Sequence, residues 1–147
     1  MRHRSRAQVV VWVAVLVPLL FLPIVGLSID AGVLFDARRD LQNVADSAAR
    51  TAAMMIDEDA LRTGRGDVRI NVQAARLEAQ DFLQNRAHFT GNVDTSQISS
   101  DHAVVVLKRQ VRPRFLRMFG AHDVTISAIG RAQPCSGITR DTATCTT

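Results

Sequence analysis

The pattern of apolar and polar positions divides the chain at residue 30. From Ala7 to Ile29 the sequence reads AQVVVWVAVLVPLLFLPIVGLSI, without one charged side chain. About 23 residues rising about 1.5 Å each reach roughly 34 Å, enough to cross a hydrocarbon core of about 30 Å with some tilt. The run therefore predicts a transmembrane helix. Pro18 and Pro23 each remove a backbone donor, which lipid-embedded helices tolerate, and they predict a bend or short break near the middle of the span.

Beyond Asp30 the apolar positions become periodic. Leu34, Leu41, Ala48 and Met55 recur every seven residues, with Ala37, Val44, Ala45 and Ala52 between them on nearly the same face. Asp36, Arg39, Asp40, Asp46 and Arg50 lie mostly off that stripe. With no proline and one glycine between Ala31 and Asp59, the helix should continue out of the membrane run. In its second half the stripe is dominated by small side chains, so Leu41, Ala45, Ala48, Ala49 and Ala52 form a candidate helix interface. Another backbone could come close there, from a sheet of the same molecule or from a neighbour's helix. High intrinsic helix propensity would favour the same alanines.

Residues 57–67, DEDALRTGRGD, break the pattern with three consecutive carboxylates and two glycines, and predict a turn or loop. The tripeptide Arg65-Gly66-Asp67 is known from cell adhesion, but a glycine-flanked loop explains it equally well. A second helix is predicted from Ile70 to about Ala87, burying Val72, Ala75, Ala79, Phe82 and Leu83. Asn71 or Asp67 would cap its start, and Gly91 with Asn92 marks the stop. After Gly91 the period shortens to two. Val93, Thr95 and Gln97 alternate, Ala103 to Val111 is a valine-rich run, and Val124 to Ile129 alternates cleanly. These predict antiparallel strands, with Ser99-Ser100-Asp101 as a turn. Between the last two lies PRFLRMFGAHD, where Pro113 and Gly120 bracket one short helical turn.

The predicted class is α+β: a long N-terminal helix, a second helix and a small antiparallel sheet of about three strands. The sheet has one apolar face, which the alanine stripe or the second helix would cover. The predicted divisions are a basic N-terminus at 1–6, the span at 7–29, an exported domain at 30–133 and a tail at 134–147.

Charge sets the expected topology. Arg2, Arg4 and Arg6 precede the span, whereas the segment just after it is slightly acidic, which predicts the N-terminus inside and the remainder exported. The apolar run is longer than a secretory signal's core, so the expected product is an uncleaved anchor in the cytoplasmic membrane. The formal net charge of +4 invites a nucleic-acid reading, but the three N-terminal arginines account for most of it. The chain has 2 cysteines, Cys135 and Cys145, both in the tail. In an oxidising compartment they are a candidate disulfide, with free thiols as the alternative.

A basic N-terminus, one apolar run ending in Ile29-Asp30-Ala31-Gly32, an Ala37-Arg38-Arg39 spacer and then Leu41-Gln42-Asn43-Val44-Ala45-Asp46-Ser47-Ala48-Ala49 resemble the start of TadE/TadG-like proteins of the bacterial tight adherence (Flp) pilus system. The resemblance covers about residues 2–56. It implies a bitopic envelope protein with a pilin-like plan that works by packing against other pilus or secretion-system proteins, in a hetero-oligomer. Residues 1–29 contain no glutamate, unlike the processing site of type IV prepilins and the TadE branch, so the TadG-like branch fits better. Asp30 falls where this family typically carries an aspartate at the outer membrane edge, and reads either as an interfacial charge or as a partner contact.

Lys108, Arg109, Arg112, Arg114 and Arg117 are the densest basic cluster outside the N-terminus. They would attract phosphates of nucleic acid or anionic lipid, or else decorate a solvated strand end. A rival reading is therefore a membrane-tethered module that binds anionic polymer or DNA. His88, His102 and His122 are scattered without metal-ligand spacing, and no nucleophile elbow or phosphate loop is present. No metal, cofactor, small-molecule substrate or catalytic activity is expected, and nucleic acid is the less favoured partner.

Overall fold

In a computed structural model, residues 3–63, 68–118, 120 and 122–134 are described. Helix α1 runs from His3 to Ala53, 51 residues, and passes through Pro18 and Pro23 without interruption. Of the bend or short break expected at the prolines, no break occurs. Each proline removes one N–H from a ladder that has many turns on either side, and the chain stays helical across the gap. From Val10 to Ile29 every side chain except Gly26 is exposed, so the helix is long and apolar enough to cross a membrane and its apolar surface is uncovered by its own chain. Ser28, the hydroxyl in the run, donates to the carbonyl of Ile24 at 2.9 Å and is satisfied within the helix.

The chain forms two compact units. The first is α1 as far as Asp36 together with Val111–Val124; the second runs from Ala37 to Gln110 and resumes at Thr125.

The second unit is α+β. Helix α2, Glu58–Arg62, is followed by α3, Val72–Asp81, which widens into one π turn over Phe82–Arg86; strands β1 (Asn92–Asp94), β2 (Ala103–Val111) and β3 (Val124–Ala132) form an antiparallel sheet in the order β1-β2-β3. In β1–β2, Asn92 pairs with Lys108 and Asp94 with Val106. The acidic stretch expected as a loop holds α2 instead. Asp57 accepts the N–H groups of Asp59 and Ala60, and Glu58 and Asp59 sit in the first turn, where carboxylates favour the helix. The remainder of that stretch, 64–67 with the Arg-Gly-Asp tripeptide, lies outside the described residues. Asn71 caps α3 by accepting from Ala74 at 3.2 Å. The chain leaves the π turn through His88, which takes a positive φ of 46°, three residues before Gly91.

Strand β1 is shorter than the alternation predicts. The Asp94 carboxylate accepts the N–H of Ser96 at 2.9 Å and turns the chain out of the sheet before Thr95 and Gln97 can pair. Bonds from the side chain and backbone of Ser96 hold this carboxyl below its usual range. The turn at Ser99–Asp101 forms as expected, with Ser99 N–H donating to His102 O at 2.9 Å.

The core of this unit is built on small residues. Leu41, Ala45, Ala48, Ala49, Ala52 and Ala53 of α1 cluster with Ala75, Ala79 and Leu83 of α3 and with Ala103, Val105, Leu107 and Ala128 of the sheet. Because alanine carries only a methyl group, the layers close at short range and no side chain can swing aside to admit more volume. Ala48→Leu is accordingly expected to destabilise the fold by about 2 kcal/mol, read as a lower thermal midpoint, while the neighbouring exposed Ser47→Ala stays near neutral.

Candidate functional site

In the first unit, the segment between β2 and β3 returns to the membrane-length helix. It contains the short helix α4, Phe115–Met118, the helical turn expected between Pro113 and Gly120. Pro113 is fully buried two residues before the helix starts. Two residues of α1 hold this segment, Gly26 and Asp30. They are four apart, hence one above the other on one helix face, and both are buried whereas Val25, Leu27, Ser28 and Ile29 are exposed.

Asp30 is 1% exposed. One carboxylate oxygen accepts the N–H of Arg114 at 2.9 Å and the other that of Leu116 at 2.7 Å. These are N–H groups at the start of α4, which have no partner inside their own helix. A carboxylate from a distant helix thus does the work of an N-cap. Four residues earlier, the Phe115 ring occupies the space that a side chain at position 26 would take. Pro23, Leu27, Phe115 and Leu116 line an apolar notch beside this contact. Arg112 pairs with Asp123 at 3.3 Å and ties the two ends of the segment together, through an exposed pair that adds little energy.

The five residues of the candidate helix interface, Leu41, Ala45, Ala48, Ala49 and Ala52, are all at 0% exposure within the second unit's own core. The closest approach is at β3. A Cβ on Gly130 would run into the carbonyl group of Ala45 and the N–H of Asp46. Beside it, the Gln42 amide donates to the Ile129 carbonyl at 2.9 Å and to Asp46 at 3.1 Å. The buried groups that carry these contacts are main chain and methyl, so the stripe fits a packing role within the chain.

The basic cluster is divided. Lys108 and Arg109 sit on β2 in the second unit; Arg109 donates to the Asp40 carboxylate at 3.2 Å and to the Ala37 carbonyl at 3.4 Å. Arg112, Arg114 and Arg117 belong to the first unit, where Arg112 is paired as above. Arg114 and Arg117 are exposed and make no ion pair among the described residues. Cys135 and Cys145 lie outside the described residues. Among the described residues no group of three or more His, Cys, Asp or Glu is placed to hold a metal ion. The arrangement supplies a carboxylate that organises main chain, a close-packed interior and exposed cations at Lys108, Arg114 and Arg117.

Sequence reasoning placed Asp30 at a membrane edge but missed what it holds. The signal available was the spacing of Gly26 and Asp30, a small residue and an acceptor one turn apart at the end of an otherwise uniform apolar run.

The comparisons with known proteins found no similar curated protein and no similar solved structure. Residues 7–55, the whole apolar run and the alanine stripe, match the family model described as "Putative Flp pilus-assembly TadE/G-like", a match that supports the TadE/G-like family without distinguishing its branches.

Proposed function

We propose that the chain is a single-pass protein of the bacterial cytoplasmic membrane that serves a Tad (Flp) pilus or a related secretion system as a minor pilin-like, assembly or anchoring component. Residues 1–6 stay inside, 7–29 span the bilayer, 30–133 form the exported domain and 134–147 a tail that carries Cys135 and Cys145, the candidate disulfide. It works by protein–protein packing, with other pilus or secretion-system proteins as partners in a hetero-oligomer, and has no catalytic role. The TadG-like branch is favoured because residues 1–29 lack the glutamate of a prepilin processing site.

The observation that carries this reading is the coincidence of the family match with the exposed apolar helix: the matched residues 7–55 contain the run whose side chains from Val10 to Ile29 are uncovered apart from Gly26. In the bacterium that encodes it, deleting the gene is expected to abolish surface pili while pilin is still made. A reporter fused after residue 134 should be active when it is an enzyme that folds only outside the cytoplasm. Normal piliation in the deletion strain sinks the pilus role; a fusion active only in the cytoplasm sinks the topology.

A further inference from the structure

We infer that residues 112–118 form a second membrane contact, a foot that docks on anionic phospholipid headgroups at the bilayer surface where α1 emerges. The inference rests on the reading of residues 7–29 as the span, and adds to it a surface that no family resemblance assigns.

Position along the helix comes first. If the apolar run fills the hydrocarbon core, Asp30 stands at its edge, and Gly26 lies about 6 Å deeper at about 1.5 Å per residue. The segment is pinned at both depths, by Arg114 and Leu116 N–H on Asp30 and by the Phe115 ring against Gly26. It is therefore held at the boundary between acyl chains and headgroups. Chemistry follows depth. Phe115 and Leu116, with Pro23 and Leu27, line an apolar notch open to the exterior of the unit, of a kind an acyl chain fills. Met118 is 80% exposed, more than any other large apolar side chain among the described residues. Arg114 and Arg117 are exposed without an ion pair among the described residues, in the segment that carries these apolar groups. Cations beside apolar side chains at this level match a phosphate layer above acyl chains. Asp30 also removes the obstacle to such docking, because main-chain N–H groups of an irregular segment near hydrocarbon need an acceptor that is not water.

The test uses the full chain in liposomes of phosphatidylcholine with or without phosphatidylglycerol. Trp12 is the one tryptophan, and its quenching by brominated lipid reports the span in the unaltered protein. A second protein carries Trp12→Phe with Met118→Trp, at a side chain exposed enough to accept an indole. The expected result is that the new indole is quenched by brominated lipid and shifts to shorter emission wavelength, more so with phosphatidylglycerol. Arg114→Gln with Arg117→Gln should lower the docked-to-undocked ratio on anionic vesicles by roughly an order of magnitude. An unquenched Trp12 overturns the span itself. A quenched Trp12 beside a new indole that stays in water, or that is shielded equally with and without phosphatidylglycerol and both arginines, leaves the span and overturns the foot. A response to duplex DNA on neutral vesicles, with none to phosphatidylglycerol, overturns it in favour of nucleic acid.

Discussion

Gly130→Val is expected to destabilise the folded chain by about 3 kcal/mol, among the largest effects of any single substitution outside the membrane run. The reason is what stands opposite. A side chain at 130 meets the carbonyl of Ala45 and the N–H of Asp46, which are helix backbone and cannot rotate away as a side-chain tip would. Relief requires β3 to lift from α1, which also stretches the bond from Gln42 to the Ile129 carbonyl. Thermal or denaturant unfolding of the full chain in detergent measures this. The matched control is Gly32→Ala, an exposed helical position with nothing within 4 Å of the added methyl, where higher helix propensity should leave stability unchanged or raise it by about 0.5–1 kcal/mol. Equal losses at both positions would refute the packing account.

Asp30→Ala should release the returning segment while leaving the second unit folded. It leaves the N–H groups of Arg114 and Leu116 without their acceptor, while the packing of Phe115 against Gly26 remains. Loss of charge-assisted hydrogen bonds corresponds to opening on the order of tenfold more often. Trypsin reads this directly, because Arg114 and Arg117 are its sites in the segment while Arg112 is shielded by the following Pro113. Faster cutting after Arg114 and Arg117, with unchanged cutting within 37–110, is the expected pattern. Asp30→Asn is the finer probe: it keeps the shape but turns one oxygen into an amide donor facing an N–H. It should therefore fall near alanine rather than near the parent. Unaltered cutting in Asp30→Ala would show that Phe115 and Pro113 hold the segment without the carboxylate.

The helices and strands were legible because each has a strong local pattern. Seven-residue recurrence from Leu34 to Met55 marked the buried face of α1, and Leu41 and Ala48 are indeed buried. The valine-rich run at 103–111 and the alternation after Val124 correspond to β2 and β3. Where the reading failed, a short-range polar bond had overridden a pattern. Asp57 organised α2 in a stretch whose composition says loop, and Asp94 ended β1 early. Both are side-chain acceptors acting within three residues, and both were visible in principle as carboxylates preceding free N–H groups.

The candidate site was less legible than the elements. Alanine spacing announced that something comes close to α1 but could not say whether it was the chain's own strand or a neighbour's helix. Glycine at 130 gave no hint by itself that Ala45 would be its counterpart. The basic cluster looked like one patch in sequence, yet Arg109 pairs with Asp40 and Arg112 with Asp123, leaving different cations available than proximity in sequence implies.

What the sequence by itself determined is whatever depends on runs and periods: a span-length apolar helix, its continuation with one small-residue face, and strands of alternating character. Those follow from hydrophobic transfer and backbone geometry, which act on a few turns at a time. Only the tertiary structure decided what meets the small face and what Asp30 holds. The bonds from Arg114 and Leu116 to Asp30 join residues 84 and 86 positions apart, and close approach over such separations depends on the path of all the chain between.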